Sequence, residues 1–123
     1  MEKYPEYCKK QDIEKSKVKK EIFKNPQVYF DIIEIAEYIS QDCWQLAEKF
    51  LNDTEQTFSL IMENPKIGTP KKMKNPRFFN LRFLPVNNFK KILIFYSELK
   101  NRIEIFRVIH GSRDLKSILD TVF

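Results

Sequence analysis

The apolar residues of this chain change period once, and that change most limits what it can fold into. Val28, Ile32, Ile35, Ala36 and Ile39, then Ala47, Leu51, Thr54, Phe58 and Ile61, recur at helical spacing. Stripes of this kind belong to helices that bury one face. From residue 79 the spacing drops to two, with Phe79, Leu81 and Phe83 pointing one way and Asn80 and Arg82 the other. That alternation is the mark of strands. A helical pair has to bury its stripe against a sheet face, which predicts a two-layer α+β domain.

Local signals place the elements. Residues 18–23 suit a first strand, with Ile22 and Phe23 as its strong apolar positions. Asn25-Pro26 suits a helix start, since Asn caps free N–H groups and Pro fits the first turn. Tyr29 and Ile33 widen the first stripe, while Asp31, Glu34 and Glu37 fall on the wet face. After a break at Ser40-Gln41, Asp42 and Gln45 have the spacing of a capping box that opens a second helix. Glu48, Asn52, Glu55 and Ser59 form its wet face, and Pro65 ends it. The two helices make an antiparallel hairpin. A basic, proline-rich loop follows at 64–76. Next come a strand bounded by Pro85, a strand at 92–96 apolar on both faces, a turn at 98–101 and a strand at 103–110. Ser112 can cap a short C-terminal helix through Leu115, Ile118, Leu119 and Val122. The expected fold is therefore an N-terminal strand, a helical hairpin on a mainly antiparallel sheet, and a short terminal helix. The opposite sheet face is left partly open, with Arg82 and the polar end of the last strand placed to sit on it. Residues 1–17, rich in Lys and Glu, read as an extension, and 18–123 as a single domain.

Composition narrows the function classes. With 123 residues, 42% of them hydrophobic and 14% aromatic, the chain can bury a core without disulfide staples. No stretch approaches a membrane span of about 20 apolar residues, and Met-Glu-Lys-Tyr-Pro-Glu at the N-terminus lacks the apolar core of a signal peptide. Cys8 and Cys43 have neither a CxxC partner nor a nearby histidine, so no metal or cofactor is expected, and reduced thiols in a cytoplasm are. Residues 27–63 hold eight acids against the single base Lys49, whereas 64–97 hold eight bases and no acid. A basic field favours nucleic acid or an acidic protein surface, although scattered lysines also serve solubility.

The polar residues that stand out are at the end of the last strand. Arg107, the only histidine, His110, and the pair Arg113-Asp114 interrupt sequence otherwise suited to a core. Titratable groups where a sheet meets its next element are where a site is expected. Each also has a structural reading. His110 can bond to Asp114, Arg113 can pair with Asp114, and Arg107 can lay its stem over apolar neighbours. Trp44 and the phenylalanines are expected in the core, and Cys43 is expected to be buried.

The order of these pieces resembles the RelE/ParE superfamily of small bacterial toxins. The matching segments are Asp31-Ile32-Ile33-Glu34-Ile35-Ala36-Glu37-Tyr38-Ile39, Glu63-Asn64-Pro65 with Gly68, Asn80-Leu81-Arg82, Ile94-Phe95-Tyr96, and Arg107-Val108-Ile109-His110-Gly111-Ser112-Arg113-Asp114-Leu115. The resemblance implies a toxin that is neutralised by a cognate antitoxin and poisons either DNA gyrase or translation on the ribosome. As an endoribonuclease cutting messenger RNA, the chain would need a base, a phosphate clamp and a proton donor. Arg82, Arg107 and Arg113 could clamp phosphate and His110 could move a proton. However, residues 111–123 lack the C-terminal Tyr or His on which that branch often relies, and nothing in the sequence places Tyr96 beside His110. The ParE-like branch acts by binding and asks for no catalytic set, so it is the favoured expectation, with Arg82, Arg107, His110 and Arg113 as the candidate toxicity residues. A homodimer or a toxin–antitoxin hetero-oligomer fits either branch. A non-toxic interaction module that keeps the fold is the rival from another class.

Overall fold

The computed structural model describes residues 20–78 and 80–112. The N-terminal extension, Phe79, Arg113, Asp114 and the expected C-terminal helix lie outside those residues. Strand β1 (Glu21–Lys24) leads into helix α1 (Pro26–Ser40) and helix α2 (Trp44–Glu63). The basic loop is not plain coil: it holds a 3-10 turn (Pro65–Ile67), the two-residue strand β2 (Thr69–Pro70) and a second 3-10 turn (Pro76–Phe78). Strands β3 (Leu81–Val86), β4 (Phe89–Glu98) and β5 (Arg102–His110) follow. The sheet order is β1-β5-β4-β3-β2, with β1 parallel to β5 and every other pair antiparallel. β4 is therefore central, which explains its apolar residues on both faces.

The Asn25 side chain accepts the N–H of Gln27 at 3.2 Å and caps α1 as its sequence implies. The capping box on α2 does not form. Its N-cap is Cys43, which makes no side-chain cap bond and is exposed, contrary to the burial expected of it. At the β3–β4 hairpin, Asn88 takes a left-handed φ of 69°. The Asn88 amide donates to the Asp53 carboxylate at 3.1 Å, and the Asn87 N–H donates to the Thr57 hydroxyl at 3.1 Å, so this tip fixes the angle of α2 over the sheet.

Two apolar clusters sandwich the sheet. On the helix side, Val28, Phe50, Phe58 and Ile61 pack over Ile94, Tyr96, Ile103, Ile105 and Val108. On the other side, Phe78, Leu81, Phe95, Phe106 and Ile109 are joined by Met73, Phe83 and Leu93. Phe78 and Phe106 meet edge to face with centroids 5.5 Å apart. The opposite face is thus not the open, arginine-lined surface expected from the sequence. Strands apolar on both sides need a second cover, and the loop before β3 supplies Met73 and Phe78.

The helical layer differs from expectation as well. Tyr29, Ile33 and Leu51, read as part of the stripes, are exposed, as are Phe30 and Trp44. The sheet takes only one stripe from each helix, and among the described residues no further layer lies outside the hairpin. Asp31, assigned to the wet face, is buried instead.

Candidate functional site

The site residues converge where α1 meets the far half of β5. β1 pairs with β5 only from Glu21 opposite Arg102 to Lys24 opposite Ile105. The Asn25 N–H then donates to the Ile105 carbonyl at 3.0 Å, and the chain turns into α1 along the remaining edge of β5. Asp31 arrives there in place of a neighbouring strand. Its carboxylate accepts the Val108 N–H at 3.0 Å, a sheet-edge donor that would otherwise lack a partner.

The same carboxylate receives a two-pronged bond from Arg107, Nε to Oδ2 at 2.7 Å and Nη2 to Oδ1 at 2.9 Å. The Gln27 amide adds a fourth bond at 3.1 Å. A register shift in β5 aims Arg107. Phe95 lies opposite Arg107 and Tyr96 opposite Ile105, which leaves Phe106 as the extra residue of a bulge. Side-chain alternation slips there, so Ile105 and Val108 face the helices while Phe106 and Ile109 face the other cluster. Arg107 turns out of the alternation towards α1. The side chains of Arg107 and Asp31 are only 11% and 4% exposed.

His110 closes β5. Its Nδ1 lies 3.2 Å from the Ser112 backbone N–H and 2.7 Å from the Ser112 hydroxyl. A backbone N–H can only donate, so this bonding makes Nδ1 the acceptor and places the ring hydrogen of the neutral form on Nε2. The ring can donate through Nε2, but its one basic nitrogen is already engaged. Arg107 and His110 share the wall of a cleft of about 390 Å³, together with Asp31, Glu34 and Tyr38. Its formal charges are two carboxylates against one guanidinium, so it is not a cationic hollow.

Arg82 is not part of that cleft wall. It lies on β3, two strands from β5 or about 10 Å in strand spacing. Its Nη1 donates to the carbonyls of Gly68 at 2.7 Å and Lys66 at 3.2 Å, and so fixes the basic loop. Tyr96 braces the same loop. Its hydroxyl accepts the Gly68 N–H at 2.8 Å and donates to the Pro65 carbonyl at 2.8 Å. Burial pushes the Tyr96 phenol above its ordinary pKa. A Cβ at Gly68 would come within 2.5 Å of that hydroxyl, so only glycine fits there. Along β4, Tyr96 is four residues from Ile92, the partner of His110, which is about 13 Å of strand. Tyr96 is a structural brace, not the missing proton donor. Arg113 lies outside the described residues.

Sequence reasoning missed Asp31, although the signal was present. Asp31 follows Val28 by three positions and precedes Ile35 by four, which puts it on the buried stripe. A carboxylate on that stripe needs a buried partner. Glu98 also escaped notice. It receives Lys20 at 3.0 Å and Lys66 at 3.1 Å, and these bonds hold its carboxyl below the ordinary glutamate range.

No curated protein matches the chain in sequence. Among solved structures, a chain described as "Chromosomal ParDE TA system from P. aeruginosa" has the same fold, with a TM-score of 0.60 at 14% identity, covering 74% of this chain and 95% of that one. Over residues 22–115 the sequence matches the family described as ParE toxin of type II toxin-antitoxin system, parDE. That span holds all five strands and both helices, together with the Asp31–Arg107 pair and His110. The chain therefore belongs to the ParE toxin family of type II toxin–antitoxin systems.

Proposed function

We propose that this protein poisons DNA gyrase in the ParE-like manner, by binding rather than by catalysis, and that a cognate antitoxin neutralises it. The observation that carries this reading is the state of the candidate catalytic groups. Arg107 is committed to Asp31, Arg82 to two carbonyls, Tyr96 to the basic loop, and the basic nitrogen of His110 to Ser112. Ribonuclease chemistry needs a free base, a free phosphate clamp and a proton donor at one point. The described residues do not assemble them. A surface that binds needs none of the three.

Expression should arrest growth, and co-expression of the small gene adjoining this one should relieve the arrest. Purified protein should inhibit supercoiling by gyrase while leaving transcripts on ribosomes intact. Cut transcripts with unimpaired supercoiling would reverse the assignment in favour of a RelE-like endoribonuclease. Absence of arrest would leave an interaction module that keeps the fold. Among the candidate toxicity residues, His110 gives the cleanest test. It is half-buried at a strand end, so His110→Ala should keep the fold and lower toxicity.

A further inference from the structure

Among the described residues, every exposed large hydrophobic side chain lies between Phe23 and Leu60, on β1 and the two helices. Phe30 is 66% exposed, Ile33 53%, Tyr38 72% and Trp44 61%. Both faces of the sheet already have their covers, so these side chains are not an unfinished core. An apolar patch of this kind marks a docking surface.

Charge identifies what docks. Of the eight acids in residues 27–63, Asp31 and Asp53 are buried and paired, and the remaining six are exposed. The single base in that span, Lys49, is paired with Asp53 at 3.1 Å. The hairpin surface is aromatic and anionic together. The basic surface of residues 64–97, which charge alone would favour as the antitoxin site, has no exposed large hydrophobic side chain among the described residues. Interface affinity concentrates in such anchors, with charge adding steering and specificity.

We infer that the outer face of the α1–α2 hairpin docks a basic amphipathic helix of the antitoxin, whose apolar stripe is flanked by Lys or Arg. This rests on the toxin–antitoxin reading above and adds the place and the charge of the partner. Two helices side by side present a groove that takes the ridge of a third. A second copy docking through the same face is disfavoured, because it would set exposed carboxylates against exposed carboxylates.

The test titrates the full-length chain with the protein encoded by the adjoining gene. Phe30→Glu with Ile33→Glu should weaken binding by about tenfold or more, a loss that truncating central anchors commonly produces. Glu37→Lys with Glu48→Lys should weaken it too and flatten its salt dependence. Lys71→Glu with Lys72→Glu should change it little. Trp44→Glu is the substitute if the Phe30/Ile33 variant melts early. Binding that survives the hairpin changes but is lost on reversing the lysines overturns the proposal. So does light scattering that shows a dimer of the isolated chain dissolved by Ile33→Glu, which would make the face a self-interface. Failure of the neighbouring product to bind the wild-type chain at all would overturn the toxin–antitoxin reading itself.

Discussion

The Asp31 carboxylate takes four hydrogen bonds, two from Arg107 and one each from Val108 and Gln27, in a nearly dry setting. Breaking such a pair from one side leaves a buried charge with no counter-ion. Arg107→Ala should therefore cost about 3–5 kcal/mol, read as a shift of the urea midpoint. Arg107→Met combined with Asp31→Leu should recover part of that loss, though not all, because the Val108 N–H stays orphaned. Loss of toxicity in Arg107→Ala alone would consequently report on the fold before it reported on a contact. Tyr96 makes a second residue-scale prediction. Tyr96→Phe removes one partner from each of Gly68 and Pro65 and should cost about 1–3 kcal/mol. The Tyr96 pKa is raised by burial above its ordinary 10.0. Its contribution is thus complete below that ordinary value and is lost as pH rises through the raised folded one. Denaturant midpoints taken into alkali should fall faster for the wild type than for Tyr96→Phe.

At the scale of elements, the helical hairpin is held to the sheet at both ends of its reach. Asp31 fastens α1 to β5, and Asp53 with Thr57 fastens α2 to the β3–β4 tip. The Asn88 amide does two jobs there, since the residue also occupies the left-handed region. Asn88→Gly removes the side-chain bond but keeps the backbone relaxed. Asn88→Ala loses the bond and adds left-handed strain of about 1–2 kcal/mol. Thermal unfolding should rank the wild type above Asn88→Gly, and Asn88→Gly above Asn88→Ala. Equal melting temperatures for the two variants would mean that the turn, not the amide, is replaceable.

Across the whole molecule, charge is segregated: the acidic helical layer carries the exposed aromatic side chains, and the basic loop and sheet edge carry the lysines. The two halves are sewn together at few points. Glu98 is one of them, because it joins Lys20 before β1 to Lys66 after α2. The Glu98 carboxyl sits below its ordinary 4.5, mainly through the Lys20 bond. Its contribution is complete above that ordinary value and disappears as pH falls through the lowered one. Glu98→Gln should therefore show a shallower loss of stability on acidification than the wild type. Equal acid profiles would show that the lysines leave Glu98 in the folded protein no more ionised than in the unfolded chain.

Sequence alone determined the elements, because periodicity, caps and prolines act through neighbours three or four residues away. The Asn25 cap, the end of α2 before Pro65, the central character of β4 and the two-layer architecture were all legible in this way. Tertiary structure alone decided which polar groups meet. It placed β1 parallel to β5, slipped the alternation at Phe106 and so turned Arg107 onto Asp31, 76 positions away in the chain. It also spread Arg82 and Arg107 over separate places and left Trp44 and Phe30 outside the core. Burial of a side chain depends on what packs across from it, and residues remote in sequence supply that partner.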